Sequence, residues 1–203
     1  MRSPRLKRLI DVVASAIGLL VAAVPMAVIA LAIRVTMGAP VLFRQVRPGQ
    51  DGEPFELIKF RTMRDGPGDD ASRLTRLGRF LRSTSLDELP ELFNVLSGQM
   101  SLVGPRPLLM SYLDRYSPDQ ARRHEVKPGI TGLAQVEGRN AVDWEERFRL
   151  DVCYVDTWTI SGDVRIMART MWAVLQRSGI SADGHVTMPA FTGSNPPTEV
   201  EHP

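Results

Sequence analysis

Apolar positions in this chain form one long run near the start and short, punctuated stretches afterwards. From Val12 to Ile33 no residue is charged. Coiled as one helix, that run extends about 33 Å at roughly 1.5 Å per residue, enough to match a hydrocarbon core of about 30 Å. It is apolar on every side, which a soluble amphipathic helix is not. It is too long for a signal peptide, and no clear small-residue cleavage site follows it. Pro25 falls near its middle, where an interior proline costs on the order of 3 kcal/mol and bends a helix. Backbone groups freed in lipid need local partners, so the pattern predicts a kink or a reversal there. Arg2, Arg5, Lys7 and Arg8 precede the run, and Arg34, Arg44 and Arg47 follow it. Basic residues favour the cytoplasmic side. With both flanks held there, the segment enters and leaves the bilayer by one face. Asp11 lies four residues after Lys7 and three after Arg8, so a helical ion pair is available; a solvated interfacial charge is the alternative.

Beyond the run, Val41 to Val46 and Phe55 to Thr62 read as strands around the turn-rich Arg47-Pro-Gly-Gln-Asp-Gly, which predicts a β-hairpin. Lys59 and Arg61 share a face of the second strand, either as a solvated basic surface or as phosphate contacts. Asp65 to Asp70 reads as a solvated loop. Leu74 to Leu81 reads as a short helix with Leu74, Leu77 and Leu81 on one stripe and Arg73, Arg76 and Arg79 off it. Such a helix lies on a membrane surface or packs on the domain. Glu91 to Leu96 reads as a helix ended by Gly98. Leu108 to Tyr116 looks helical, and Ser117-Pro118 restarts a helix containing Arg122, Arg123 and His124. Lys127-Pro-Gly, Thr131-Gly and Gly138-Arg-Asn mark tight turns of the kind that carry binding residues, with Arg139 either a phosphate contact or a surface arginine. Asp143 caps a helix carrying Trp144, Phe148 and Val152, and Gly162 breaks it. Asp163 opens the last helix, with Met167, Met171, Val174 and Leu175 as its apolar face. Trp158 and Trp172 are either interfacial anchors or core. From Ser178 onward the composition predicts a loosely held end. The fold class is thus α+β and mainly helical, with one hairpin and several amphipathic interfacial helices. Its expected parts are a membrane anchor over 1–37, a cytoplasmic domain over 38–180 and a loosely ordered tail over 181–203.

Composition adds limits. A chain of 203 residues has room for one modest core. Its net charge of +2 makes no demand for nucleic acid, but the basic cluster beside the apolar run suits anionic headgroups. The single cysteine, Cys153, excludes an internal disulfide and fits a reducing compartment. It reads as packing, and His124, His185 and His202 form no metal set with it.

The chemistry concentrates between Arg82 and Pro107. Asp87 and Glu88 stand side by side, and Ser85 precedes Glu88 by three residues, the spacing of a capping box. Alternatively Pro90 takes the first helical position and the acids lie just outside. Both arrangements put the pair near a helix N-terminus, where negative charge is favoured. Arg82 lies upstream. Arg106 sits between Pro105 and Pro107 in backbone biased to extension, which suits presentation to a phosphate or carboxylate.

Ser85-Leu-Asp-Glu-Leu-Pro, Phe93-Asn-Val-Leu and Gly104-Pro-Arg-Pro resemble the core of the monotopic phosphoglycosyl transferases, also called bacterial sugar transferases. Lys7-Arg-Leu-Ile-Asp, Lys59-Phe-Arg-Thr-Met, Lys127-Pro-Gly-Ile-Thr-Gly-Leu-Ala-Gln-Val and Gly138-Arg-Asn extend the likeness in family order from about residue 5 to about residue 180. Without long N-terminal additions, the chain looks like the family's small form. The resemblance implies a re-entrant helix with its break at Val24-Pro25, and an ion pair of Asp11 with Lys7 or Arg8 that fixes depth in the membrane. It favours Lys59, Arg61 and Arg139 as phosphate contacts. It implies transfer of a phosphosugar from a UDP-sugar to undecaprenyl phosphate, with release of UMP, at the cytoplasmic face of the bacterial inner membrane. Asp87 would attack the phosphorus that carries the sugar, giving an aspartyl-phosphosugar that the lipid phosphate then resolves. A carboxylate, with a free value near ~3.9, needs no general base for this. Mg²⁺ on Glu88 would offset the diphosphate charge, and Arg82 and Arg106 would steady the transition state. Expected partners are the two substrates and membrane lipids; a homodimer is left open, and nucleic acid is not expected. Arg177-Ser-Gly-Ile-Ser and Phe191-Thr-Gly resemble members that use acetamido sugars, while related members use hexoses. A non-catalytic membrane adaptor would explain the basic flanks but not the acid pair between arginines. An ordinary glycosyltransferase would release UDP.

Overall fold

The computed structural model describes residues 3–137, 143–176 and 190–193. Helix α1 runs from Pro4 to Met37, with Ser3 Oγ accepting from Leu6 N at its start and Gly38 in the left-handed region at its end. It is long and apolar enough to cross a membrane. The helix continues through Pro25, so a change of direction there is a bend within one helix, not a gap between two. Its fully buried residues lie toward its two ends. Asp11 and Ser15 are buried near the start, and Ile29 and Ile33 pack on Phe60 and Leu81 near the end. Between them Leu20 is 79% exposed.

The hairpin forms as expected. Strands β1 (Leu42–Pro48) and β2 (Pro54–Phe60) pair antiparallel, with Phe43 opposite Lys59 and Arg47 opposite Phe55. Two short helices follow, α2 (Asp70–Arg73), which starts at the last residue of the expected loop, and α3 (Arg76–Ser83). Thr75 caps α3 by accepting from Gly78 N at 2.9 Å, which leaves Leu74 outside the helix. Helix α4 (Glu91–Ser97) ends at Gly98, as the sequence indicates. Buried Asn94 locks α4 to the hairpin. Its Oδ1 accepts from Ile58 N at 3.2 Å, and its Nδ2 donates to Glu56 O at 2.7 Å.

A second sheet lay beyond the sequence reading. Strands β3 (Ser101–Val103) and β4 (Gly129–Thr131) pair in parallel. Their glycines are needed for close approach: a Cβ on Gly129 would lie 2.1 Å from Gly104 N, and one on Gly104 would lie 2.3 Å from Lys127 O. The two motifs Gly104-Pro-Arg-Pro and Lys127-Pro-Gly thus brace each other. Helices α5 (Pro118–Ala121), α6 (Leu133–Glu137), α7 (Trp144–Thr157) and α8 (Ile160–Leu175) complete the body.

Several expectations need correction. The stretch read as helical from Leu108 to Tyr116 is a shorter 3₁₀ helix, Met110–Arg115. Asp143 caps α7 as expected, but Gly162 does not break it. Helix α7 ends at Thr157, and Gly162 lies in the first turn of α8, donating to the Thr159 cap at 3.1 Å. On α8, Asp163 and Ile166 are buried while Met171 and Trp172 are exposed; Trp158 packs near Val103 and Tyr154. The Asp11 ion pair is not made. Arg8 donates to the carbonyls of Val95 and Leu96 at the end of α4, at 2.6 and 2.9 Å, where cations are favoured. Lys7 pairs with buried Asp163 at 2.6 Å. Asp11 Oδ1 instead accepts from the backbone N of Leu102 at 3.1 Å, a donor that would otherwise be orphaned. In the expected tail, Phe191 is only 4% exposed, inside an aromatic cluster with Tyr112, Trp144 and Phe148. Arg139, the Leu175 side chain, residues 177–181 and His185 and His202 lie outside the described residues.

Candidate active site

A cleft of about 730 Å³ opens beside the hairpin, the α3–α4 connection and the Met110–Arg115 turn. Lys59, Arg61, Arg82, Asp87, Glu88 and Arg106 all line it. Six of the seven expected catalytic and phosphate-contacting residues therefore converge on one cavity, and Arg139 is outside the described residues.

The acids sit on a one-turn 3₁₀ segment, Leu86–Glu88, between α3 and α4. No capping box forms, since Ser85 makes no side-chain cap bond and takes φ 54°, in the left-handed region. A serine there costs on the order of 1 kcal/mol, a strain typical of functional positions. Pro90 is the cap residue before α4 and not its first helical residue, and the acids lie just outside the helix, where the second alternative from sequence put them.

Glu88 Oε1 is the hub. It accepts from Arg106 at 2.6 Å and from Lys59 at 2.8 Å. Lys59 Nζ also lies 2.9 Å from Oε1 of Glu91, a residue only 1% exposed that the sequence reading did not single out. The position of Arg106 is fixed from behind. Arg123 donates to its backbone carbonyl at 2.7 Å and forms a buried ion pair with Asp151 at 2.7 Å. Arg82 Nε donates to Thr62 Oγ1 at 3.1 Å. Arg61 is more committed than a phosphate contact should be. Its donors go to the carbonyls of Met37, Gly38 and Ala39, and it pairs with Asp65 at 2.7 Å. It fastens the end of α1 to the cleft wall.

The environment separates the three acids. Burial alone would raise the Glu88 carboxyl, but Arg106 and Lys59 outweigh it and hold Glu88 well below the usual range. Burial pushes Asp87 up, and Glu88 beside it adds to that; Lys59, Arg106 and Arg82 pull the other way. Burial pushes Glu91 up to about 7, with Lys59 opposing and Glu88 reinforcing. Glu88 also raises the Arg106 guanidinium, so that pair stays ionised.

Arg47, Arg73 and Arg147 also line the cleft. Sequence reasoning assigned none of them to it, and Arg147 gave no motif signal beyond its place one turn after Trp144. Together with Arg82 they make no ion pair among the described residues, unlike Lys59, Arg61 and Arg106. A strong positive surplus therefore faces the cavity, which suits a polyanion. No group of three or more His, Cys, Asp and Glu side chains is arranged to hold a metal among the described residues. The donor set is a carboxylate pair, which fits Mg²⁺ held jointly with substrate phosphates and not a closed protein cage.

The bacterial sugar transferase family matches residues 2–177. The chain is 53% identical over 195 residues to a protein of Bacillus subtilis named uncharacterized sugar transferase EpsL, covering 93% of this chain and 96% of that one. It is 45% identical over 187 residues to the UDP-glucose:undecaprenyl-phosphate glucose-1-phosphate transferase of Caulobacter vibrioides, covering 83% of this chain and 69% of the relative. It is 41% identical over 203 residues to the undecaprenyl-phosphate galactose phosphotransferase of Salmonella typhimurium, covering 88% of this chain and 42% of that protein. A chain with one helix, among the described residues, long and apolar enough to cross a membrane, an acid pair in an arginine-lined cleft and this extent of likeness is a transferase, and it belongs to the bacterial sugar transferase family.

Proposed function

We propose that the protein moves a sugar 1-phosphate from a UDP-sugar to undecaprenyl phosphate, with Asp87 as the nucleophile. One observation carries this reading: Asp87 lines a cleft in which Glu88 beside it is already neutralised by Lys59 and Arg106, while Arg47, Arg73, Arg82 and Arg147 make no ion pair among the described residues and outnumber the remaining acids there, Asp65 and Asp70. Such a surplus compensates a diphosphate and draws it to a carboxylate that would otherwise repel it.

An Asp87 oxygen attacks the phosphorus that bears the sugar. The bond from that phosphorus to the UMP oxygen breaks, and UMP leaves with the electron pair. An oxygen of the lipid phosphate then attacks the same phosphorus and expels the Asp87 carboxylate, giving undecaprenyl diphosphosugar. The upward push on Asp87 makes its carboxylate more basic than a free aspartate and so a better nucleophile once ionised. Arg106, locked by Glu88 in front and Arg123 behind, is preorganised to steady charge on the transferring group. A divalent cation held by the free side of Glu88 and by the donor would offset the charge of the departing UMP.

The packing of α1 supports a re-entrant anchor. Asp11 at one end and Ile33 at the other touch the same body, whereas a span would part its ends by about 30 Å of hydrocarbon. Both basic flanks then lie on the cytoplasmic side, where a nucleotide sugar is soluble. The hexoses in the names of the Caulobacter and Salmonella relatives favour a hexose donor over an acetamido sugar.

The test is a panel of UDP-sugars with undecaprenyl phosphate and Mg²⁺, following which nucleotide is released. UMP release that is lost in Asp87→Asn supports the proposal. UDP release, or wild-type UMP release from Asp87→Asn, contradicts it.

A further inference from the structure

A second hollow adjoins the cleft. Pro40, Val41, Leu42 and Phe43 wall a groove of about 580 Å³. Phe43, Arg61 and Asp65 line both spaces, so the groove opens into the cavity that holds Asp87. Its outer end begins where the apolar helix stops. Met37 is the last residue of α1, and Leu31 and Val35 on the last turns of that helix are well exposed. Apolar chain therefore leads from the end of the membrane helix into the groove wall, and the groove opens into the cleft. Phe43 is 44% exposed and stands opposite Lys59 in the hairpin, whose ammonium holds Glu88 next to Asp87. Arg82, anchored on Thr62 beside Arg61, lines the adjoining cleft and makes no ion pair among the described residues.

We propose that the Pro40–Phe43 groove receives the isoprenoid chain of the lipid acceptor and guides its phosphate to Asp87. The inference rests on the acceptor reading above and adds the path by which that substrate arrives. Groove chemistry and position favour this occupant. Four consecutive apolar residues form one wall, with Arg44, Arg61 and Asp65 completing the lining; the wall begins three residues after the end of the membrane helix, and the adjoining cleft offers Arg82 to a phosphate. A protein docking here would gain nothing from the opening into the cleft.

The two half-reactions separate this claim from the function itself. Phe43→Ala protein is compared with wild type and with Val46→Ala, a control at an exposed apolar position of the same strand outside the groove. Release of UMP in a single turnover without acceptor reads the first half. Steady-state transfer to undecaprenyl phosphate and to a farnesyl-length phosphate reads the second. The expected result is a rise of about tenfold in KM for undecaprenyl phosphate in Phe43→Ala, the scale of losing part of a buried aromatic contact, and a smaller rise for the short lipid. Val46→Ala should behave as wild type. An unchanged acceptor KM with intact UMP release overturns the groove assignment and leaves the aspartyl reading standing. Loss confined to UMP release assigns Phe43 to the donor and also overturns it. Absence of UMP release from the wild-type protein would instead sink the function on which the inference rests. A benzophenone-bearing polyprenyl phosphate gives an independent check on the unaltered protein. Labelling of the peptide containing Pro40 to Arg44 supports the path, and labelling confined to other peptides contradicts it.

Discussion

Removing the carboxylate of Asp151 tests how Arg106 is held. Arg123 and Asp151 are both 2% exposed, and their ion pair is closed by a bond at 2.7 Å. Asp151→Ala strands a buried guanidinium, which costs about 3–5 kcal/mol. In a chain of this size each kcal/mol shifts the melting midpoint by about 2–4 °C, so the variant should melt roughly 6–20 °C below wild type. Arg123 also donates to the Arg106 carbonyl, so the Pro-Arg-Pro segment loosens and turnover falls as well. A double variant, Arg123→Met with Asp151→Leu, replaces the pair by apolar groups of similar size and should recover most of the melting temperature. It should not recover turnover, because the donor to Arg106 is still missing. Thermal melts in detergent, paired with UMP-release rates, read both effects. The reasoning is refuted if Asp151→Ala melts within ~2 °C of wild type, or if the double variant is no more stable than the single.

Other outcomes follow from the same geometry. Glu88→Gln should lower kcat by about 10²–10³, the scale of losing one preorganised charge at a reacting centre. It also removes the negative neighbour that helps raise Asp87, so the acid limb of the remaining activity should move to lower pH, read from kcat/KM across pH. Glu91 is raised in the folded protein from an ordinary 4.5 to about 7, so it binds its proton more tightly than the unfolded chain does. Its stabilising contribution is fully present below pH 4.5 and is lost as pH rises through about 7. Glu91→Gln should therefore flatten the fall in melting temperature across that window; an unchanged slope would speak against the assignment. Gly129→Ala places a Cβ 2.1 Å from Gly104 N and must push the two strands apart, with a stability loss of more than about 2 kcal/mol and poor UMP release.

Much of this fold was legible where the signal is local. The charge-free run, the turn formers between two strands, Gly98 after α4 and Asp143 before α7 each carry their own physical cause within a few residues. What failed depends on distant partners. Strands β3 and β4 are three residues long, too short for a periodic pattern, and exist because Gly104 and Gly129 let two backbones meet. Lys7 and Arg8 were expected to pair with the nearby Asp11; instead the fold offers them Asp163 and the end of α4. The acid pair and its flanking arginines were found as a motif, but their electrostatics were not. Glu91 joins through Lys59, and Arg147 reaches the cleft from a helix some sixty residues further on. Neither sequence alternative for Arg61 anticipated its setting: it is buried, not solvated, and backbone carbonyls at the end of α1 claim its donors.

The account turns on a covalent bond at one side chain. Intact and peptide mass spectrometry of the protein quenched with a UDP-hexose, before any lipid phosphate is added, reads it directly. The prediction is an added hexose phosphate mapped to Asp87, absent from Asp87→Asn and discharged when undecaprenyl phosphate is supplied. Release of UMP with no such adduct at Asp87, or an adduct on another residue, would contradict it.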